Sequence, residues 1–258
     1  MKNKFLVALQ YWAGDRESAL GLLDIFSRTI KPNNPWADLV LYPRFDSQLP
    51  DETVLRKLRK VFEVVWPLKS HTQMTGWPNG CNYLWADLVI ETFRRSTESN
   101  GGEPQWAKYK GVLAIESDTC PLSDDWLEVI SNEWDEHRVN FMGAWDDRNQ
   151  DHDSRLTRVG HINGNAMFAM DLAKKAPTVL GTPLNKGWDT YHAPTFRKIG
   201  WAGTFAIQNF YDTKRLTEGQ YDRLLREKCV LLHGVKDKSV RDLYLKYRCK
   251  TDSSTQAI

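Results

Sequence analysis

Residues 111–122 read Gly111-Val112-Leu113-Ala114-Ile115-Glu116-Ser117-Asp118-Thr119-Cys120-Pro121-Leu122, an apolar run that ends abruptly in two carboxylates. Its apolar part is typical of a buried parallel strand. Glu116 and Asp118 follow the carboxyl end of that strand, where open α/β sheets place their ligand sites. Two neighbouring carboxylates repel each other, and a divalent cation with oxygen ligands would supply the compensating charge. The stretch therefore predicts a metal site at a sheet edge, of the kind that serves a phosphate-bearing ligand.

Composition limits the class of protein. The chain has 258 residues, of which 41% are hydrophobic and 26% charged, with a net charge of +2. These values are typical of a soluble globular protein, and so small a charge does not by itself indicate a nucleic acid or a membrane as partner. No apolar run reaches the length of a membrane span, and residues 1–4 lead into a strand-like segment rather than a signal peptide. We therefore expect a cytoplasmic protein without stable membrane association.

The cysteines are widely spaced and form no Cys-x-x-Cys pair. They stand at Cys81, Cys120, Cys229 and Cys249. This spacing argues against a zinc site built from cysteines and favours free thiols in a reducing compartment.

Predicted strands and helices alternate in the first 145 residues. Strands are predicted over 5–11, 38–42, 61–66 and 139–145, and helices over 16–30, 51–59 and 82–95. Further strands are predicted over 163–169, 204–208 and 230–232, and further helices over 189–199 and 237–247. The alternation favours an α/β fold with a mostly parallel central sheet flanked by helices. No Pro/Gly-rich linker divides the chain, so we expect a single domain over residues 1–258.

His233 is the third candidate metal ligand. It ends an apolar segment and precedes Gly234-Val235-Lys236-Asp237-Lys238. Such a histidine either completes a metal site, with Lys236 and Lys238 neutralising phosphate oxygens, or caps the following helix. Together with Glu116 and Asp118 we favour ligation, because imidazole with carboxylates suits Mn²⁺ as well as Mg²⁺.

These motifs resemble a known family. The acid-x-Asp motif after a strand, the Trp188-Asp189 segment and the late His233-Gly234-x-Lys236 segment look like a glycosyltransferase of the GT-A fold, over most of the chain. The resemblance implies a Rossmann-like α/β fold in which the acidic motif and the histidine bind Mn²⁺ or Mg²⁺, which holds the diphosphate of a nucleotide-sugar donor, with a UDP-sugar favoured. Because the commonest motif is Asp-x-Asp, the assignment depends more on Asp118 than on Glu116.

The resemblance also divides the chain and assigns donor contacts. Residues 1–145 would bind the nucleotide-sugar, and residues 146–258 would bind the acceptor and complete the metal site. Ala8 and Gln10, at the end of the first strand, would lie under the nucleotide base. Asp46 would accept a hydrogen bond from base or ribose, or simply form a turn. Lys69 would meet the donor, or remain a solvated loop residue.

Two asparagine-containing segments are candidates for binding sugar hydroxyls or anions. Residues 76–82 are Gly-rich and lead into a helix, where Asn82 would present a helix start to the ligand or act only as an N-cap. They do not form a Walker loop, because the Gly-Lys-Ser/Thr ending is missing. Asn163 and Asn165 alternate with glycine and would bond sugar hydroxyls, or would form a plain turn.

Residues 187–192 contain the candidate catalytic base. Asp189 follows Trp188, and an aromatic ring beside a carboxylate is a common way to hold a sugar. In an inverting transfer, Asp189 would deprotonate the acceptor hydroxyl, and His192 is the second candidate. The alternative is that Asp189 is an N-cap and Trp188 a core residue.

The sequence does not decide the chemical identity of the acceptor. The acceptor is a glycan precursor, a lipid-linked sugar, a protein or a hydroxymethylated DNA base, and the last would be typical of a bacteriophage enzyme acting in the host cytoplasm. A basic cluster permits DNA without requiring it, and consists of Lys236, Lys238, Arg241, Lys246, Arg248 and Lys250. The alternative functions are a metal-dependent nucleotidyltransferase, whose usual Gly-rich loop is missing at residues 10–16, and a sugar-binding module without enzyme activity.

Overall fold

The structure of this chain is a computed structural model that describes residues 4–99, 102–146, 161–210 and 215–255. Within these ranges, the side chains of Asp146, His161, Asn163 and residues 249–255 are not described.

Strands and helices alternate along most of the described chain. The strands are β1 (Phe5–Tyr11), β2 (Ala37–Pro43), β3 (Val65–Pro67), β4 (Val112–Glu116), β5 (Cys120–Pro121), β6 (Phe141–Asp146), β7 (His161–Phe168), β8 (Trp201–Thr204), β9 (Ile207–Asn209) and β10 (Leu231–His233). The α-helices are α1 (Arg16–Thr29), α2 (Glu52–Leu58), α3 (Asn79–Thr97), α4 (Trp126–His137), α5 (Leu172–Lys175), α6 (Trp188–Tyr191), α7 (Ala193–Ile199), α8 (Glu218–Arg226) and α9 (Ser239–Thr255).

Seven strands form the central sheet in the order β3-β2-β1-β4-β7-β6-β8. Strands β1 to β4 pair in parallel, as do β6 and β8, while β7 runs antiparallel to both of its neighbours. A second, small sheet has the order β5-β10-β9. The predicted α/β fold with a mostly parallel sheet flanked by helices is confirmed.

The strand register brings three carboxyl ends to one edge of the sheet. Gln10 of β1 pairs with Tyr42 of β2 on one side and with Glu116 of β4 on the other. Just past Asp118, β5 pairs antiparallel with β10, with Cys120 opposite Leu232. This pairing brings the end of β10 back to the acidic loop that follows β4.

Apolar layers cover both faces of the central sheet. Helices α1, α2 and α4 pack on one face, and α3, α5, α6 and α7 on the other. Trp85 of α3 stacks on Trp188 of α6 with ring centroids 4.0 Å apart, and Phe141 of β6 stacks on Phe196 of α7 at 3.9 Å. Large aromatic side chains bury much apolar surface in defined geometry, so these stacks fix α6 and α7 against the sheet.

The strand predicted over 61–66 is largely wrong, because only β3, Val65–Pro67, is extended there. Two other predicted elements are each divided into two in the structure. The predicted strand 204–208 is two strands in different sheets, β8 and β9, because the chain turns at the exposed Phe205 and the buried Ala206. The predicted helix 189–199 is two helices, since Pro194 lies in the first turn of α7 and lacks the N–H that a continuous helix would need.

Three further observations concern single features of the described chain. Helix α3 begins at Asn79, three residues before the predicted start. Cys81, Cys120 and Cys229 are free thiols. Among the described helices, none is both long and apolar enough to cross a bilayer.

Candidate metal and donor site

Buried polar groups hold the acidic loop in place. The backbone carbonyl of Ser117 accepts hydrogen bonds from Ser18 Oγ of α1, at 2.9 Å, and from the guanidinium of Arg241 of α9. The amide of Glu116 donates to Oδ1 of Asn165 on β7 at 2.9 Å. Because α1 and α9 both hold the carbonyl of Ser117 and β7 holds the amide of Glu116, the backbone that carries the Glu116 and Asp118 carboxylates is fixed.

His233 lies between the two carboxylates. Its Nε2 is 3.2 Å from Oε2 of Glu116 and 3.2 Å from Oδ1 of Asp118. Its Nδ1 is 2.8 Å from Oδ1 of Asn209 on β9. One ligand atom from each of Glu116, Asp118 and His233 lies within 4.8 Å of the others. The structure therefore brings together all three residues that the sequence predicts as metal ligands.

The cluster perturbs the proton affinities of its members. Burial alone would lower the pKa of His233, but Asp118 and Glu116 outweigh it and raise the pKa to about 10. Burial alone would raise the pKa of Asp118, but His233 and Lys236 hold that pKa well below its ordinary value. The negative charges of Glu116 and Asp118 are thus balanced by the positive charges of His233 and Lys236.

The residues fit a divalent cation. Oδ1 of Asp118 is buried but accepts no well-directed hydrogen bond from the described residues. The nearest donor, Nε2 of His233, forms its hydrogen bond with Glu116 instead. The 3.2 Å spacings approach the ligand–ligand edge, about 3 Å, of an octahedron with metal–ligand distances of about 2.1 Å. Asn209 accepts from Nδ1 of His233, which leaves Nε2 of the neutral imidazole available for a metal.

The two predicted lysines differ. The ammonium of Lys236 contacts Oδ2 of Asp118, and this contact raises the pKa of Lys236 against the opposing effect of burial. Lys238 is exposed, has a φ of 63°, and closes the turn by donating its amide to the carbonyl of Val235 at 3.0 Å. Of the two lysines, only Lys236 has a described contact with the acidic cluster.

The residues predicted to contact the nucleotide-sugar differ in their exposure and in their partners. Gln10 reaches the carboxyl edge, where its Nε2 donates to the carbonyl of Leu84 at 3.0 Å, whereas Ala8 is fully buried within the sheet. Asp46 is engaged by the guanidinium of Arg44, with Nε at 2.9 Å, and this neighbour lowers the pKa of Asp46. Lys69 is exposed.

Two side chains that were not predicted lie beside Asp46. The guanidinium of Arg44 lies 5.3 Å from the ring centroid of Trp12, which directly follows β1 and is 46% exposed. The indole covers Gly14 so closely that a Cβ there would lie 2.2 Å from it. Trp12 and Arg44 therefore form part of the carboxyl edge next to the acidic cluster.

Two of the three predicted asparagines, Asn82 and Asn165, are buried and bond to other parts of the protein. Asn82 donates from Nδ2 to the carbonyl of Lys186 at 2.6 Å and accepts from the amide of Trp188 at 3.0 Å. It lies inside α3 and is not the N-cap. Asn165 is fully buried and joins Glu116 to Thr119, with Nδ2 2.7 Å from Thr119 Oγ1. The side chain of Asn163 lies outside the described part of the chain.

The two candidate bases occupy different environments. Asp189 lies half-buried in the first turn of α6, beside β7, and its Oδ1 accepts from the amide of Thr190 at 2.8 Å. His192 is 1% exposed, and its Nε2 is 3.0 Å from Thr182 Oγ1. Burial lowers the pKa of His192 to about 4. Trp188 is a core residue, as the alternative predicted, but Asp189 is not the N-cap of α6, since Gly187 occupies that position.

The basic cluster is largely neutralised by neighbouring groups. Arg241 is buried, with Nη1 2.9 Å from the carbonyl of Ser18. Lys246 pairs with Glu218, and Nε of Arg248 lies 2.9 Å from Asp124. The described part of α9 is therefore not an uninterrupted basic surface.

Comparisons with known proteins identify the fold. No protein-family model and no curated protein matches this chain by sequence. Among solved structures, the bifunctional glycosyltransferase WbbM has a TM-score of 0.52 at 13% identity, covering 91% of this chain and 46% of WbbM. S. aureus TarS in complex with UDP-GlcNAc has a TM-score of 0.51 at 14% identity, covering 84% of this chain and 60% of the other. The galactosyltransferase LgtC in complex with donor and acceptor sugar analogues has a TM-score of 0.51 at 10% identity, covering 94% and 96%.

These neighbours are GT-A glycosyltransferases, and the chain has the GT-A fold. It spans 46% of WbbM and 60% of the TarS chain, and nearly the whole of LgtC. At these identities the likeness defines the fold, while the activity has to be argued from the site.

Proposed function

We propose that the protein transfers a sugar from a nucleoside-diphosphate sugar, with a UDP-sugar favoured, to an acceptor hydroxyl and depends on Mn²⁺ or Mg²⁺. The observation that carries the proposal is the convergence of Glu116, Asp118 and His233 at the carboxyl edge of a GT-A sheet. The UDP-GlcNAc bound to TarS and the donor analogue bound to LgtC support a nucleotide-sugar as donor.

In this proposal, Glu116, Asp118 and His233 hold the cation, which when bound offsets charge on the departing nucleoside diphosphate. Lys236 contributes positive charge to the same phosphate oxygens. The bond from the acceptor oxygen to the anomeric carbon forms as the bond from that carbon to the phosphate oxygen breaks. The electron pair leaves with the diphosphate, and Asp189 takes the hydroxyl proton in an inverting transfer.

The rigid setting of Asp189 supports its proposed role as base. Trp188, the preceding residue, is clamped by its stack on Trp85 and by the hydrogen bond of its amide to Asn82. Side chains carried on such rigid elements keep the precise geometry that proton transfer needs. His192 is buried and hydrogen-bonded to Thr182, so we base the proposal on Asp189 alone.

The two halves of the chain would divide the work. Residues 1–145 supply the carboxyl ends of β1, β2 and β4, and we propose that they bind the nucleotide-sugar. Residues 146–258 supply His233, Lys236 and Asp189, and we propose that they complete the metal site and bind the acceptor. The free thiols support our proposal of a reducing compartment, the cytoplasm.

We favour a glycan over a hydroxymethylated DNA base as acceptor. The basic groups of α9 that DNA would need are paired, Lys246 with Glu218 and Arg248 with Asp124. The acceptor sugar analogue bound to LgtC points the same way. A steep fall of DNA affinity with salt concentration would instead support DNA as the acceptor.

A donor-hydrolysis screen across nucleotide sugars with Mn²⁺ tests the proposal. The wild type should hydrolyse one donor class, and Asp118→Asn should reduce this turnover to background. Asp135→Asn is the matched control, because Asp135 is 53% exposed and pairs with Lys110 at the amino end of β4. Asp189→Asn should retain nucleotide binding and lower transfer to an acceptor by roughly 10²- to 10⁴-fold. Equal donor turnover in wild type and Asp118→Asn would contradict the metal assignment.

Calorimetry separates the alternatives. A glycosyltransferase should bind UDP or another nucleoside diphosphate only with Mn²⁺ present. A nucleotidyltransferase should instead release pyrophosphate from a nucleoside triphosphate and a sugar phosphate, and a sugar-binding module should bind free sugar and ignore both the metal and the nucleotide.

A further inference from the structure

Lys236 reaches from solvent to a carboxylate that is almost entirely buried. Its ammonium contacts Oδ2 of Asp118, and the two side chains are 75% and 9% exposed, respectively. The stem of the lysine therefore lies in solvent while its charged end lies at the acidic cluster.

This contact differs from an ordinary surface ion pair. Exposed pairs contribute little, because water solvates both charges about as well as the partner does. The Asp118 carboxylate is largely withdrawn from water, and its Oδ1 receives no well-directed hydrogen bond from the described residues. A buried carboxylate of this kind requires a cation, and Lys236 supplies one.

The loop that carries Lys236 has a fixed backbone. Gly234 has a φ of 93°, and a Cβ there would lie 2.6 Å from the carbonyl oxygen of Phe210. Val235 is buried, and its carbonyl accepts from the amide of Lys238 at 3.0 Å. Since the backbone is held on both sides, the lysine side chain can leave Asp118 by rotating its flexible four-carbon stem.

We propose that Lys236 is a tethered counter-ion that competes with the divalent cation for Asp118 and transfers to the donor's pyrophosphate when the metal and the nucleotide bind together. The inference rests on the proposed function. An ammonium on Oδ2 and a divalent cation on Oδ1 of one carboxylate repel each other, so each weakens the binding of the other when no further anion is present. A diphosphate offers the displaced ammonium a new anionic partner. The nucleotide should therefore raise the metal affinity, and the metal should raise the nucleotide affinity by the same factor.

Mn²⁺ titration followed by electron paramagnetic resonance tests this inference without measuring turnover. In the absence of nucleotide, Lys236→Met should bind Mn²⁺ roughly tenfold more tightly than the wild type, because the competing positive charge is gone. With saturating UDP, the Mn²⁺ affinity of the wild type should rise by a larger factor than that of Lys236→Met. Lys236→Arg keeps the charge and should stay close to the wild type in both titrations.

Lys228→Met is the matched control. Lys228 is also exposed, also has a positive φ, of 61°, and lies in the turn that leads into β10, away from its His233 end. Lys228→Met should leave the Mn²⁺ affinity unchanged both without and with UDP. This result would exclude the loss of one positive charge from the whole protein as the cause of tighter Mn²⁺ binding by Lys236→Met. Equal Mn²⁺ affinities for wild type and Lys236→Met without UDP would overturn the inference and leave the metal site intact. Failure of both proteins to bind Mn²⁺, with or without UDP, would overturn the proposed function itself.

Discussion

Asp38 and Asp118 are both buried aspartates, but their surroundings differ. Asp38, near the amino end of β2, is fully buried and accepts from Lys4 Nζ at 3.2 Å, the amide of Val64 at 3.1 Å and Tyr109 Oη at 2.7 Å. Asp118, past the carboxyl end of β4, is 8% exposed, and its Oδ1 has no well-directed hydrogen bond within the described chain.

We infer from this difference that the charge of Asp38 serves the fold and that the charge of Asp118 serves the proposed metal site. A buried carboxylate whose hydrogen bonds are complete stabilises the fold and has no capacity for a further ligand. One that has an oxygen without a well-directed hydrogen bond, and that faces a second carboxylate and an imidazole, has the arrangement expected of a cation ligand. Substitution should therefore affect stability at Asp38 and activity at Asp118.

The largest effect should come from Asp118→Asn. We expect metal-dependent donor turnover to fall by about a thousandfold or more, because the charge stabilisation supplied by such metal sites is worth several kcal/mol. The free energy of unfolding should fall by less than it does for Asp38→Asn, because the flexible Lys236 side chain, which is 75% exposed, can turn into solvent and His233 can lose its proton once the charge of Asp118 is gone. Kinetics and urea unfolding on one preparation measure both quantities. A large loss of stability with turnover preserved would reverse the roles that we assign to the two aspartates.

Asp38→Asn should produce the opposite result. Removing this charge leaves the partly buried Lys4 with only Glu63, whose carboxylate is 2.6 Å away, and weakens the hydrogen bond of Tyr109. Breaking a buried pair in this way costs about 3 kcal/mol. Urea unfolding should show this loss, while donor turnover per folded molecule stays at the wild-type level. An unchanged unfolding midpoint would show that the three hydrogen bonds of Asp38 contribute little.

Asn209→Ala tests whether the arrangement around Asp118 depends on a second layer of residues. Asn209 accepts from Nδ1 of His233 and so keeps Nε2 directed at Glu116 and Asp118. Loss of such a partner lowers metal affinity by about 10- to 100-fold. Gln208→Ala is the control, because this neighbouring side chain is bonded only weakly to the carbonyl of Phe205, at 3.3 Å. A Mn²⁺ titration that gives the same affinity for both variants would mean that Asn209 does not orient the imidazole.

The sequence identifies the three candidate metal ligands that the fold brings together, because their signal is local. Glu116 and Asp118 directly follow an apolar strand, and His233 directly follows another, so each is identified without knowledge of the tertiary pairing. The same reasoning predicts the alternation of strands and helices and hence the mostly parallel sheet.

The residues that support the site could not be predicted in this way. Arg241 bonds to Ser117 across 124 positions of sequence, and Ser18 bonds to the same carbonyl across 99. Asn209 faces His233 only because β9 pairs with β10. Asn82 resembles a ligand-binding residue locally, but its partners lie more than 100 residues away. Such roles depend on the folded chain, and a local pattern does not contain them.

The last effect concerns stability at acid pH and extends the comparison to two histidines. His233, between carboxylates, has a pKa of about 10, whereas burial lowers the pKa of His192 to about 4. The folded protein therefore takes up a proton at His192 less readily than the unfolded chain, whose histidine pKa is about 6.5. As the pH falls from about 6.5 to 4, this group should remove up to about 2–3 kcal/mol from the free energy of unfolding, and no more below that.

Urea unfolding of wild type and His192→Asn at several pH values between 7 and 4 isolates this contribution. The carboxylates titrate in both proteins, so the difference between the two curves belongs to His192. We expect the wild type to lose stability more steeply on acidification than the variant. Parallel curves would mean that His192 is protonated as readily in the folded protein as in the unfolded chain, which would contradict the lowering of its pKa by burial.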